Sequence, residues 1–305
     1  MTNFRPPDEP VRIGVDGGAT KTALIMTDRQ GHVIFDRTGP GCSPSHLGSD
    51  GARALIQRLL HDLISGIPGI QHRIELTRLY MAGSPGFWGN FASNLKGFGN
   101  VVAADDSGPL LHLTCGSDPG LVIHCGTGSF VAARDHDGTD HYAGGLGWRL
   151  SDPGSALDIG RRATIRALME FDGWRSRSGV ADLLDRESNC STRKELLDFL
   201  YLSTDPNPFL AGLAPAVAKL ADAGSDEAET ILIESLQPLV TTASQVACRL
   251  NLPSECRLGL SGNLFLSRTA GEAAISELQS ANPAWHVIRI TEPPIEGVRR
   301  ILAAD

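Results

Sequence analysis

Cysteine is scarce in this 305-residue chain: there are six, Cys42, Cys115, Cys125, Cys190, Cys248 and Cys256, and no two form a C-x-x-C pair. That spacing excludes a zinc knuckle and a dense disulfide framework, and it reads as reduced, packed thiols. The nine histidines form no H-x-x-x-H or H-E-x-x-H pattern, so no metal held in a protein cage is expected. Positive charge is also short, with 27 Lys and Arg against 35 Asp and Glu and a net charge of -8. Such a balance offers no field to phosphate backbones or anionic lipid, so neither nucleic acid nor membrane is expected as a partner. The longest apolar stretches, such as Gly120–Cys125, fall far below the roughly 20 residues of a membrane span. Met1–Pro10 has no signal-peptide h-region, and the expectation is a cytoplasmic protein. What is present, 41% hydrophobic and 20% charged residues, is ordinary for a folded chain, and this length is the size at which one core divides into two lobes.

Three strand candidates open the chain, Val11–Asp16, Thr22–Met26 and His32–Phe35, with breaks short enough for antiparallel hairpins. After a Gly, Pro and Ser-rich loop from Gly39 to Gly48, residues Ala52, Leu55, Ile56, Leu59, Leu60 and Leu63 recur at helical spacing. Leu79–Ala82 and Val101–Ala104 read as buried strands, which with the helices indicates an α/β sheet. The opening pattern then returns: Leu121–His124, a glycine turn, Ser129–Ala133 and His141–Ala143. Two such units about 110 residues apart indicate an internal duplication. From Ala156 to about Leu250 the chain reads as helical, interrupted by a polar connector from Ser176 to Arg193. A last α/β portion holds Arg257–Ser261, a helix through Ala270–Leu278, Val287–Ile290 and a helix after Pro293–Pro294. The expected division is 1–115 and 116–305, with the last helix able to pack back on the first lobe.

The turn Asp16-Gly17-Gly18-Ala19-Thr20-Lys21 places a carboxylate at a strand end, followed by residues whose backbone N–H groups can approach an anion. It lacks Walker A spacing, and alone a turn of this kind is most often only a hairpin. Gly126-Thr127-Gly128-Ser129 repeats the feature, and two glycine-hydroxyl hairpins at equivalent places suit one polyphosphate.

These residues, with Ala82-Gly83-Ser84, Asp105-Asp106-Ser107, the segment Gly144–Ser155 and Leu258–Gly262, resemble the sugar kinase, heat-shock 70 and actin ATPase superfamily. Within it they resemble the N-acetylglucosamine kinase and BadF/BadG-type group, and the Ser-Asp-x-Gly-Ser form of residues 151–155 resembles the bacterial glucosamine kinase branch. The resemblance implies a two-lobed, ribonuclease H-like actin/hexokinase-type α/β fold with duplicated lobes and an interlobe ATP cleft. It implies an ATP-dependent amino-sugar kinase acting at the 6-hydroxyl of glucosamine or N-acetylglucosamine, with a homodimer as the assembly common in the family. Asp106 then matches the general base and Asp16 the Mg²⁺ ligand. Gly17, Gly18, Thr20, Lys21, Gly126, Thr127, Gly128 and Ser129 match phosphate contacts, and Ser261, Gly262 and Asn263 the adenosine motif. Ser84, Asp105, Gly145, Trp148, Asp152 and Ser155 match sugar contacts. Bland roles stand beside these: a helix cap for Asp105, a turn or cap for Asp152, a solvated side chain for Lys21.

Three departures fall in the sugar loops. Leu146 stands for the tryptophan of the usual Gly-Trp-Gly, Pro153 for a glutamate, and the loop around Pro44 lacks an asparagine. The alternatives are an ATPase activator of the BadF/BadG type, which would carry an iron-sulfur cluster, and a non-catalytic sugar sensor. With ten residues before the first strand candidate, the helix-turn-helix of sugar-responsive repressors is not expected.

Overall fold

The computed structural model describes residues 9–150 and 152–305, so most of Met1–Pro10 and the serine opening the 151–155 motif lie outside the described residues. The chain forms two compact units, Met1–Gly116 with Glu292–Asp305, and Ser117–Thr291. The 115/116 boundary read from sequence moves by one residue, and the last fourteen residues fall in the first unit rather than at the end of the second.

In the first unit, β1 (Val11–Gly17), β2 (Lys21–Thr27) and β3 (Val33–Pro40) form an antiparallel meander. Strand β3 runs to Pro40 and α1 (Pro44–Ile64) begins four residues later, so the expected loop shrinks to Gly41–Ser43. Gly48, at φ 71°, bends α1 between its first turn and its main body. The predicted apolar stripe of α1 is buried. Next come β4 (Ile74–Met81), α2 (Pro85–Asn94), β5 (Asn100–Asp105) and α3 (Gly108–Cys115). The strand order is β3-β2-β1-β4-β5, with β4 parallel to both β1 and β5. Parallel pairing requires crossovers, which here carry the helices. The apolar core lies under α1 and α2, with Trp88 fully buried and its indole N–H donating to Ala82 O at 2.9 Å.

The second unit opens with β6 (Gly120–Cys125), β7 (Ser129–Arg134) and β8 (Asp140–Gly144), again antiparallel. Helices α4 (Ala156–Phe171), α5 (Gly179–Ser188), α6 (Arg193–Leu202), α7 (Asn207–Gly212), α8 (Ala214–Asp222) and α9 (Asp226–Arg249) follow. Helix α5 occupies much of the expected 176–193 connector: Ser178 caps it, and Val180, Ala181, Leu183 and Leu184 anchor it in the core. Strand β9 (Arg257–Ser261), α10 (Arg268–Ala281) and β10 (His286–Arg289) complete the unit. The order β8-β7-β6-β9-β10 repeats that of the first sheet, including the two parallel pairs. The chain then returns as α11 (Pro294–Ala304), packed on β1 and α3 of the first unit. Val298 and Leu302 are buried with Ile25 and Tyr80, Arg12 Nη1 donates to Leu302 O at 2.5 Å, and Arg78 holds the Asp305 carboxylate through two bonds of 2.9 and 2.7 Å.

Candidate functional site

In the first unit the register aligns three strand ends. Gly17 pairs with Met81 and Met81 with Asp105, so Asp16–Gly18, Ala82–Ser84 and Asp105–Asp106 share one edge of the sheet. The Asp16–Lys21 turn is fixed by Gly18 N–H to Lys21 O (2.9 Å), Cys42 N–H to Gly18 O (3.1 Å) and Ala82 N–H to Gly17 O (2.8 Å). Gly17 is required by close approach: a Cβ there would lie 2.5 Å from Met81 Cε and 2.9 Å from Cys42 Sγ. Thr20 and Lys21 are exposed at the turn, and Ser84 opens α2 without capping it.

Two carboxylates at this edge are unusual. Burial pushes Asp16 up to about 7, with the nearby Asp106 charge adding to the effect and Lys21 opposing it. Asp106 rises to about 6, first through burial and then through the charge of Asp105. Asp16 accepts no side-chain hydrogen bond from the described residues, so its oxygens are open to water or a cation. The neighbour Asp105 is engaged locally: its Oδ1 accepts from Ser107 N–H at 3.0 Å and from the Ser107 hydroxyl, closing the turn that leads into α3. Of the adjacent pair Asp105 and Asp106, it is therefore Asp106 whose carboxylate is not taken up by its own turn.

In the second unit Gly126 N–H donates to Gly128 O at 2.9 Å, and Ala156 N–H to Gly126 O at 3.0 Å, fixing the turn after β6. Thr127 is exposed. Ser129 is buried and its hydroxyl donates to Pro153 O at 2.6 Å, so it ties the turn to the 145–155 segment instead of projecting outward. Ser155 is also buried and accepts the Asp158 N–H at 3.1 Å as the cap of α4. Asp152 Oδ1 accepts the Gly147 N–H at 3.1 Å, while Oδ2 lies 3.4 Å from where a Cβ of Gly128 would stand. Burial raises the Asp152 pKa and the Gly147 hydrogen bond opposes this. Gly145 N–H is bonded to Ser129 O at 3.1 Å. Trp148 is 39% exposed with the Arg149 guanidinium 5.1 Å over its ring, and Leu146 is 61% exposed. Ser261 ends β9, buried, with Asn263 exposed two residues on. Between them Gly262, at φ 106°, presses its main chain against that of Cys125, where a Cβ has no room.

The structure thus gathers Asp16, Gly17, Gly18, Thr20, Lys21, Ser84, Asp105 and Asp106 at one sheet edge. In the second unit it gathers Gly126–Gly128, Gly145, Asp152 and Ser261–Asn263 around β6 and β9. Two further residues lie against these turns, Cys42 beneath Gly17 and His124 before Gly126; the only sequence signal for either is its position beside a glycine turn.

Known proteins match along nearly the whole chain. An N-acetyl-D-glucosamine kinase of Dictyostelium discoideum is 24% identical, covering 93% of this chain and 95% of its own length. An N-acetylmuramic acid/N-acetylglucosamine kinase of Clostridium acetobutylicum is 24% identical over 77% of this chain and 78% of its own. The fold is that of a Chromobacterium violaceum protein solved under a provisional N-acetylglucosamine kinase assignment. Its TM-score is 0.77 at 22% identity, covering 97% of this chain and 100% of that one. Residues 13–299 match a single family model, and the chain belongs to the BadF/BadG/BcrA/BcrD ATPase family.

Proposed function

We propose that this protein is an ATP-dependent amino-sugar kinase that transfers the γ-phosphoryl group to the 6-hydroxyl of N-acetylglucosamine or glucosamine. The observation that carries the reading is Asp106, at the end of β5, with its pKa raised to about 6 beside Asp16 and the Gly17–Lys21 turn. Both curated relatives are named for N-acetylated sugars, which favours an acetylated acceptor.

Asp106 accepts the proton of the attacking hydroxyl, for which a pKa just below neutrality is suited: the group is mostly ionised at pH 7 yet basic enough to take a proton. The Thr20 and Thr127 hydroxyls and Lys21 bind phosphate oxygens, together with main-chain N–H groups of the two turns other than those of Gly18 and Gly126, which close the turns; Gly17, Gly18, Gly126 and Gly128 let the backbone come close to the anion. Ser261, Gly262 and Asn263 receive the adenosine. Ser84, Gly145, Trp148 and Asp152 orient the sugar, Asp152 accepting from sugar hydroxyls. Asp105 and Ser155 serve the sugar indirectly, by shaping the turns that present Asp106 and Asp152, and Ser129 does the same for the phosphate turn. Among the described residues no three His, Cys, Asp or Glu side chains converge, so a divalent ion here relies on few protein ligands. That donor set fits Mg²⁺, which keeps most of its waters: Asp16 would hold it, and it would neutralise phosphate charge.

A cytoplasmic setting accords with the buried thiols, and a homodimer is the proposed assembly, read out by light scattering. The test of function is ADP release from Mg-ATP with N-acetylglucosamine, glucosamine, N-acetylmuramic acid, glucose or no sugar, beside Asp106→Asn. Sugar-dependent ADP that disappears in the variant is expected. ADP release indifferent to every sugar would replace the kinase with an ATPase activator, and nucleotide binding without turnover would indicate a sensor.

A further inference from the structure

On the face of the second sheet opposite Leu121, Ile123 and Cys125, a column of rings crosses three strands. His124 on β6 stacks on Phe130 of β7, centroids 5.0 Å apart and planes 25° apart; Phe130 stacks on Tyr142 of β8 at 4.7 Å and 30°. Each end of the column meets a turn assigned above to substrate. The His124 Nδ1 lies 3.3 Å from the Ser261 hydroxyl, and its Nε2 stands 2.8 Å from where a Cβ of Gly126 would be. The Tyr142 ring supports the main chain of Gly145, its Cε1 lying 2.6 Å from the corresponding Cβ position.

A single imidazole therefore addresses both nucleotide turns of this unit. Its neighbours on this face are apolar rings and a neutral hydroxyl, and burial pushes its pKa down to about 4, so the ring is neutral at physiological pH. A neutral imidazole has one donor nitrogen and one acceptor. Its bond to Ser261 consequently couples the two groups: either Nδ1–H donates to the serine oxygen or the serine hydroxyl donates to Nδ1, and the tautomer and the hydroxyl direction change together. Stacking on Phe130 fixes the ring plane, which no aliphatic residue at position 124 could do.

We propose that His124 is a positioning residue for nucleotide binding, locking the Ser261 hydroxyl and the Gly126–Gly128 turn into one geometry, with Phe130 and Tyr142 as its rigid backing. This rests on the reading of Ser261–Asn263 and Gly126–Gly128 as nucleotide contacts. Ligand discrimination follows from it: loss of the His124–Ser261 bond weakens nucleotide, while the sugar, supported through Gly145 and Tyr142, is left nearly unaffected.

The test is calorimetric titration of the full chain with Mg-ADP, together with sugar KM and thermal midpoint. Wild-type protein that fails to bind Mg-ADP would sink the nucleotide reading itself; the outcomes that follow bear on His124 alone. His124→Phe keeps the stack and removes the hydrogen bond, and a threefold to tenfold rise in the Mg-ADP Kd is expected, with sugar KM within twofold. Ser261→Ala should give the same loss, and the double variant no more than twofold beyond either. His124→Asn, whose amide can reach the Nδ1 position but cannot stack on Phe130, should recover part of the loss, binding Mg-ADP more tightly than His124→Phe and more weakly than wild type. Unchanged Mg-ADP affinity in His124→Phe overturns the proposal. So does additivity in the double variant, or equal weakening of sugar and nucleotide with a lower midpoint, which would make the column packing alone.

Discussion

Asp106→Asn should lower activity and raise stability at the same time, because the burial that tunes the carboxylate also penalises its charge. Ionising Asp106 in the folded chain is harder than in the unfolded chain: its pKa moves from an ordinary 3.8 to about 6. At about 1.4 kcal/mol per pKa unit this costs about 3 kcal/mol at pH 8. A carboxyl with a raised folded-state pKa favours folding at low pH, and that contribution is lost as pH rises through about 6. Asparagine has no such loss, and it also relieves Asp16, whose own rise owes part to the Asp106 charge. The variant is thus expected to gain about 1–3 kcal/mol in EDTA-containing buffer at pH 8, a few degrees in Tm, with the gain gone near pH 3. Its kcat should fall by about 10²–10⁴, the usual contribution of a general base. Wild-type kcat/KM should fall about tenfold for each pH unit below about 6, a limb the variant's residual rate should lack. Denaturant melts across pH 3–8 and coupled ADP assays provide both readouts. A variant within threefold of wild-type kcat removes Asp106 as the base, and one destabilised at pH 8 refutes the desolvation argument whatever its activity.

Gly17→Ala should weaken Mg-ADP binding and cost about 1–3 kcal/mol, since the new methyl group meets Met81 and Cys42 at 2.5–2.9 Å; calorimetry and a urea melt would check both. Trp148→Ala, at an exposed ring, should leave Tm and Mg-ADP affinity unchanged while raising sugar KM severalfold, and an unaltered KM would take Trp148 out of the sugar site. Glu75 pairs with Arg29 and Arg12, which hold its carboxyl below the usual range, Arg29 contributing most. That stability is present above the ordinary value near 4.5 and lost as pH falls. Glu75→Gln should therefore cost at most about 1 kcal/mol at pH 7 and nothing near pH 3, read from melts at the two pH values.

The hairpins were legible because period-two apolar patterning and glycine punctuation act within a few residues, and β1–β3 and β6–β8 follow them. Helix α2 was not: Pro85, Gly86 and Gly89 are poor helix formers, no helix is expected between Ala82 and Val101, and what makes the segment helical is burial of Trp88, Phe91 and Ala92. The Gly39–Gly48 segment was shorter as a loop than its composition suggested, since Gly48 bends a helix that begins at Pro44. The return of α11 to the first unit was allowed for in the expected division and not by any local pattern: it depends on contacts such as Arg12 to Leu302, 290 residues apart. At the site, residue types were legible and hydroxyl roles were not. Nothing near Ser129 in sequence reveals that Pro153 O takes its proton, or near Asp105 that Ser107 occupies its oxygen.

The duplicated turns diverge in charge, and the divergence is chemically sensible. Both follow a central strand, both are closed by a backbone bond across the turn, and both have a sulfur packed against a nearby glycine, Cys42 at Gly17 and Cys125 at Gly154. Only the first has a carboxylate at the strand end: counted from the last pair of each hairpin, Gly17 with Thr22 and Cys125 with Ser129, Asp16 stands where the second hairpin has His124, whose pKa burial lowers to about 4, so that its ring is neutral. A neutral turn presents N–H groups to a polyanion with no opposing charge. A turn carrying a buried carboxylate repels one unless a cation stands between them. Several half-buried or buried carboxylates in the chain are engaged: Asp158 by Arg162 and Gly154, Asp222 by Ser267 and Thr269, Glu170 by Ser178. Asp16 is left without such a donor, and that incomplete electrostatics is the physical reason for proposing the cation at the first turn rather than at the second.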